Sequence, residues 1–128
     1  MNIESIERLI KPYLQLPLEC DGFSRIVKYL LDQNNIPNTV YAGILDDRIY
    51  HVWVEVDGLR IDYRARMWAK SLNREQAELP HGITPIEIND HWYSKVEKYP
   101  IVVNAHTFMV LTNIKSTPNL LDCSAIPL

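Results

Sequence analysis

Cys20, His51 and Asp62 are three side chains in the first half of the chain whose types, taken together, could do chemistry. A thiol is a nucleophile only as its thiolate. The positive end of a helix and a nearby imidazolium both favour that form. A carboxylate on the far side of the imidazole fixes its tautomer and orientation. Such a set performs acyl transfer through a thioester. The thiolate attacks a carbonyl carbon, and the histidine protonates the leaving group and then activates the second substrate. Each residue also has an ordinary explanation. Cys20 suits a small buried apolar position, His51 a hydrogen-bonded strand end, and Asp62 an ion pair with Arg60 or Arg64 on the same strand face. Local structure decides whether the three meet.

The stretch "CDGFSRIVKYLLDQNNIP" predicts the main helix, with Phe23, Ile26, Val27, Leu30 and Leu31 repeating at three and four residues. Polar residues and Pro37 stop it. A start near residue 20 puts Cys20 in the first turn, inside the apolar arc. Upstream, "IESIERLIKPYL" predicts a helix over about residues 3–11, disturbed by Pro12, and "QLPLE" a linker.

"TVYAGIL", "RIYHVWVEV" and "LRIDY" read as three strands of an antiparallel meander over residues 39–64, with turns at Asp46-Asp47 and Asp57-Gly58. Asp-Gly as a two-residue loop sets the register. Val56 then faces Leu59, Val54 faces Ile61, and Val52 faces Tyr63, all on one apolar face. The opposite face carries His51, Trp53 and Glu55, with Arg60, Asp62 and Arg64 on the partner strand. His51 is then diagonal to Asp62, with Cα atoms roughly 7–8 Å apart. A slip of one residue would separate them onto opposite faces.

These residues carry a resemblance. "CDGFSRIVKYLLDQNNIPNTVYAGI" followed by "HVWVEVDGLRID" resembles the core of the transglutaminase-like superfamily, a branch of the papain-like cysteine enzymes. The shared pattern is a cysteine opening a helix, here Cys20, and a helix end like "NIP" at 35–37. A histidine then begins a strand with tryptophan two residues later, here His51 and Trp53, and an aspartate lies on the following strand, here Asp62. The resemblance covers residues 20–62. It implies an α+β fold with a papain-like/transglutaminase-like core, N-terminal helices packed on an antiparallel β-sheet, and Cys20, His51 and Asp62 as the catalytic triad. It also implies an oxyanion donor upstream of the cysteine, a position that Gln15 occupies, with the backbone N–H of Cys20 as the second donor.

The chain departs from the pattern in places. Glu19 and Asp21 flank Cys20, and like charges there disfavour a thiolate. Tyr63 follows Asp62 where animal-type transglutaminases and many bacterial relatives tend to have proline. No residues suggest calcium sites, and the domain is much smaller than a protein-crosslinking transglutaminase. These points favour hydrolysis of a peptide or side-chain amide bond, by a peptidase, amidase or deamidase. The rivals are a non-catalytic binding or adaptor domain on the same fold, and an acyltransferase that passes the thioester to an amine.

The rest of the sequence bounds this reading. The 128 residues suit one domain, 1–128. Apolar residues make up 47 % and charged residues 23 %, an ordinary globular composition. Thirteen basic and sixteen acidic residues give a net charge of −3, which argues against nucleic acid or an anionic membrane as partner; the resemblance implies a peptide or protein substrate. No stretch approaches the roughly 18 apolar residues of a spanning helix. The N-terminus shows no signal-peptide pattern, so a cytoplasmic location with free thiols is expected. Four glycines and no phosphate loop speak against a nucleotide site. His81, His91 and His106 lack metal-ligand spacing, so neither metal nor cofactor is expected.

Trp53 suits either an active-site wall or a half-buried sheet position, and "YRARMW" either a holder for an acidic group or a solvated strand end. In the second half, residues 69–85 read as surface loop with one helical turn. "IEIND" reads as a short strand, and "HWYSKVEKY" and "NAHTFMVLTNI" as short helices. The tail "STPNLLDCSAIPL" has weak signals, and its Cys123 reads as structural or incidental.

Overall fold

In the computed structural model, residues 2–114 are described; Cys123 and the tail around it lie outside them. Helix α1 (Ile3–Ile10) starts under Asn2, whose side chain accepts the Ser5 N–H, and gives way to a 3-10 turn at Lys11–Tyr13, where Pro12 sits. Helix α2 runs Cys20–Gln33. It ends in a Schellman motif on Asn35, which takes a left-handed φ of 57°. The Asn35 N–H reaches the Asp32 carbonyl, and the Ile36 N–H reaches that of Leu31.

Strands β1 (Thr39–Leu45), β2 (Ile49–Val56) and β3 (Leu59–Asp62) form the meander. Asp57 and Gly58 have φ of 44° and 79°, the mirror-image turn whose twist matches paired strands. The register is the expected one: Val56 pairs with Leu59, Glu55 with Arg60, and Val54 with Ile61. A 3-10 segment (Ala65–Trp68) and the short α3 (Ala69–Leu72) follow, then β4 (Gly82–Pro85), the one-turn α4 (Ile86–Asn89), β5 (Tyr93–Lys98) and α5 (Ala105–Thr112). The sheet is antiparallel with strand order β4-β3-β2-β1-β5. The fold is therefore α+β, with helices packed on an antiparallel sheet.

Two expectations in the second half fail. "HWYSKVEKY" is chiefly strand β5 and not a helix. It is an edge strand, exposed beyond Tyr93, so its pairing with β1 and not an apolar period makes it a strand. "IEIND" is helical and not a strand, because Ile86–Asn89 turn directly after Pro85 instead of continuing β4. The expected surface loop contains β4, which pairs with β3 through backbone groups. The helix expected in "NAHTFMVLTNI" is present as α5, capped by Asn104.

The core lies between α2 and the sheet. Val52 and Ile61 meet Phe23, Ser24 and Val27, while Ile6 and Ile10 of α1 are fully buried. Each such aliphatic side chain stabilises by about 1.5–3 kcal/mol relative to exposure. Gly43 is required where it stands. A Cβ there would come within 2.7 Å of the Trp53 ring and 2.2 Å of the Ser94 carbonyl oxygen. Among the described residues, no helix is long and apolar enough to cross a membrane.

Candidate active site

Three elements converge on one point. Cys20 is the first residue of α2, His51 the third of β2 and Asp62 the last of β3. The His51 Nε2 lies 2.7 Å from Asp62 Oδ2. Cys20 lines the same small void as Asp62 and acts on the His51 ring. The register set by Asp57-Gly58 brings His51 and Asp62 together, and the helix start brings in Cys20.

The carboxylate of Asp62 is saturated with donors. Its Oδ2 also accepts the Tyr93 hydroxyl at 2.8 Å, and its Oδ1 accepts the Arg64 backbone N–H at 3.0 Å. Burial would raise its pKa. The charge and hydrogen bond of His51, with the bonds from the Arg64 amide and Tyr93, outweigh burial and hold it below the usual carboxylate range. For His51, burial opposes the charged ring. Asp62 and the thiolate form of Cys20 outweigh it and push the ring up to about 10.

The lowered pKa of Asp62 makes a stability prediction. A depressed carboxylate contributes stability that is complete above its ordinary range and is lost as pH falls through its folded value. The stability gap between the wild type and Asp62→Asn is expected to hold from neutral pH to about pH 4, then to shrink in stronger acid. Urea midpoints at a series of pH values measure it. A gap that persists unchanged in acid would mean that the carboxylate charge contributes nothing.

Other side chains fix the surroundings. Trp53 is fully buried, so it is no wall facing solvent. Its ring centroid lies 6.2 Å from that of His51, and its Nε1 donates to Glu55 at 2.9 Å. Glu55 in turn accepts from Lys95 and Arg60. Arg64 is not a solvated strand end. It is buried, and its guanidinium donates to the carbonyls of Leu14, Leu16 and Leu18, the segment that leads into Cys20. Its Cζ lies 4.1 Å from the Phe23 ring centroid.

Burial, then the Asp21 charge, raises the pKa of Glu19 and so favours its neutral form, and Asp21 pairs with Arg25 at 3.1 Å. The Glu19 side chain makes no cap bond to the first turn of α2.

Gln15 is exposed on a cavity of about 480 Å³ that Tyr63, Arg66, Met67 and His81 also line, but Cys20 is not among its walls. The expectation that Gln15 serves the oxyanion has no support in this arrangement. Among the described residues, no cluster of three or more His, Cys, Asp or Glu side chains could hold a metal ion.

The site itself is closed. Cys20 is 1 % exposed and His51 0 %, and the void beside Cys20 and Asp62 measures about 10 Å³. Tyr50, next to His51 in β2, is exposed.

Comparison of the chain with protein-family models, curated proteins and solved structures returns no significant match.

Two neighbours of the triad escape a reading of the sequence. Tyr93 lies in a segment whose polar residues suggest a helix, so its place on the sheet is invisible there. Trp68 follows the hairpin in a 3-10 turn, and its indole Nε1 lies 3.1 Å from His51 Nδ1. No local period points to that contact.

Proposed function

We propose that this chain is a small cysteine-dependent acyl-transfer enzyme of the transglutaminase-like, papain-like type. Its reaction is hydrolysis of a peptide or side-chain amide bond, with Cys20 as nucleophile, His51 as acid and base, and Asp62 as orienting group. The observation that carries the reading is His51 Nε2 at 2.7 Å from Asp62 Oδ2, with Cys20, at the start of α2, on the same small void as Asp62. A packing role for three buried residues does not call for that order of thiol, imidazole and carboxylate.

Each step follows from the arrangement. His51 Nδ1 takes the thiol proton, and the sulfur attacks the carbonyl carbon. Backbone N–H groups of the first turn of α2, including that of Cys20, face the developing oxyanion; the Glu19 side chain leaves them uncapped. The protonated His51 gives its proton to the leaving amine, and a thioester forms on Cys20. Water then attacks the thioester while His51 accepts its proton. Collapse releases the acid, and the proton on His51 returns to sulfur. Asp62, held by Tyr93 and the Arg64 amide, keeps the ring oriented throughout.

The test is acylation of the thiol. With p-nitrophenyl acetate in excess, a burst of p-nitrophenol equal to the protein concentration is expected, with one acetyl group on Cys20 by mass spectrometry. Cys20→Ser should lose the burst while its circular dichroism stays unchanged. Acetylation that spares Cys20 would overturn the reading.

The closed site favours a second reading, a non-catalytic binding domain in which Cys20 and His51 serve packing alone, because both are shut off from solvent. Absence of any acylation at Cys20, together with a stability loss in Cys20→Ser, is the result this rival expects.

A further inference from the structure

The Trp68 indole meets the base of the proposed triad at Nδ1, the ring nitrogen that Asp62 leaves for the thiol. Its Nε1–H points at His51 Nδ1 across 3.1 Å, and both residues are buried. An indole nitrogen is a donor only. The bond therefore exists only while Nδ1 carries a lone pair, which makes His51 the neutral tautomer that gives its Nε2–H to Asp62. A thiol on Cys20 completes that neutral resting form of the proposed pair. Moving the thiol proton to Nδ1 creates thiolate and imidazolium, and turns the acceptor of Trp68 into a second donor. Trp68 and the thiol proton compete for one lone pair.

We infer that Trp68 is a positioning residue that sets where the shared proton of Cys20 and His51 rests. It holds the resting pair as thiol and imidazole, and restrains the thiolate until a new acceptor takes its N–H. The inference rests on the triad proposed above and adds to it a residue outside the triad. The strong pull of Asp62 and the thiolate on the ring and the opposing indole donor describe the two ends of one proton transfer. Other groups act on the same transfer. Tyr93 and the Arg64 amide bind Asp62 on the sheet side. Glu19 and Asp21 stand at the helix start, and the Tyr50 hydroxyl feels both Asp21 and Cys20. His81 feels the Asp62 charge from beyond the hairpin. None of these changes in a Trp68 variant, so a difference in pH profile isolates the indole.

The experiment compares iodoacetamide alkylation of Cys20 in the wild type and in Trp68→Phe across pH 4–9. Near pH 7 the variant is expected to react about fivefold faster, the worth of one hydrogen bond. At the acid end, where His51 is protonated in both proteins, the ratio should fall towards one. A ratio that is raised equally at every pH would make Trp68 only a steric cover and overturn the inference, as would equal rates throughout. Should Trp68→Phe fail to fold, ¹⁵N spectra of the wild type decide. A bare Nδ1 and a protonated Nε2 on His51 at pH 7 support the inference, and two protonated nitrogens overturn it. The outcomes separate the two proposals. A reactive wild-type Cys20 with an unaltered variant removes only the role of Trp68. A Cys20 as unreactive as an ordinary buried thiol in both proteins removes the triad and the inference together.

Discussion

His51→Gln is expected to fold and to lose most of the reactivity of Cys20. Its amide N–H can still reach Asp62, whose other partners, the Tyr93 hydroxyl and the Arg64 amide, are untouched. What disappears is the base beside the thiol. A free cysteine titrates near ~8.5, so well under about one part in a hundred is thiolate at pH 6. A thiol paired with imidazolium is largely ionised there in the best pairs. The restraint from Trp68 takes back part of that gain. Alkylation of Cys20 at pH 6 should therefore slow by roughly a hundredfold in the variant, with the loss closing as pH rises past the ordinary thiol range. Equal rates at pH 6 would mean that the two side chains do not exchange a proton. A slower rate by the same factor at every pH would report altered access.

The second large effect falls on a residue outside the proposed triad. Arg64 is buried, and its guanidinium gathers the carbonyls of Leu14, Leu16 and Leu18 at 3.0, 3.0 and 2.6 Å. These carbonyls belong to the linker between α1 and α2, which has no sheet partner to satisfy them. Arg64→Leu keeps an apolar side chain near Phe23 but removes all three bonds, leaving the Leu16 carbonyl only the Leu18 N–H. Losing three charge-assisted bonds to buried and partly buried carbonyls costs about 3 kcal/mol, which lowers the melting temperature by roughly 10 °C for a chain of this size. The linker ends at Cys20, so the thiol should also lose its alignment, and alkylation at pH 6 should drop alongside stability. Arg64→Lys is expected to recover less than half of the stability. A single ammonium cannot span three carbonyls as the planar fork does. Scanning calorimetry reads both variants. A melting temperature within 2 °C of wild type for Arg64→Leu would show that the linker holds without its clamp.

The two halves of the chain differ in how much of this they declare. Residues 20–62 encode their structure locally. The helix stripe, the Asn35 stop and the Asp57-Gly58 turn each act within a few residues, so the helix start at Cys20 and the hairpin register follow from the sequence. The pairing of His51 with Asp62 follows from that register. Residues 63–98 are held by distant partners instead. Strand β5 exists because β1 offers an edge, and Arg64 of the "YRARMW" segment is buried because it serves carbonyls 46 to 50 residues upstream. Side chains that reach their targets across the sheet, such as Tyr93 and Trp68, leave no periodic mark. For the same reason Gln15, chosen by its offset from Cys20, lies on a cavity that Cys20 does not line.

The central claim is that Cys20 and His51 share a proton and so make a nucleophile. The most direct measurement is the alkylation rate of wild-type Cys20 from pH 4 to 9, with Cys123 of the same molecule as the internal standard. At pH 6 Cys20 is expected to react far faster than Cys123, with its rate already near a plateau. A Cys20 rate that climbs only near ~8.5 in step with Cys123, or stays at zero throughout, would contradict the claim.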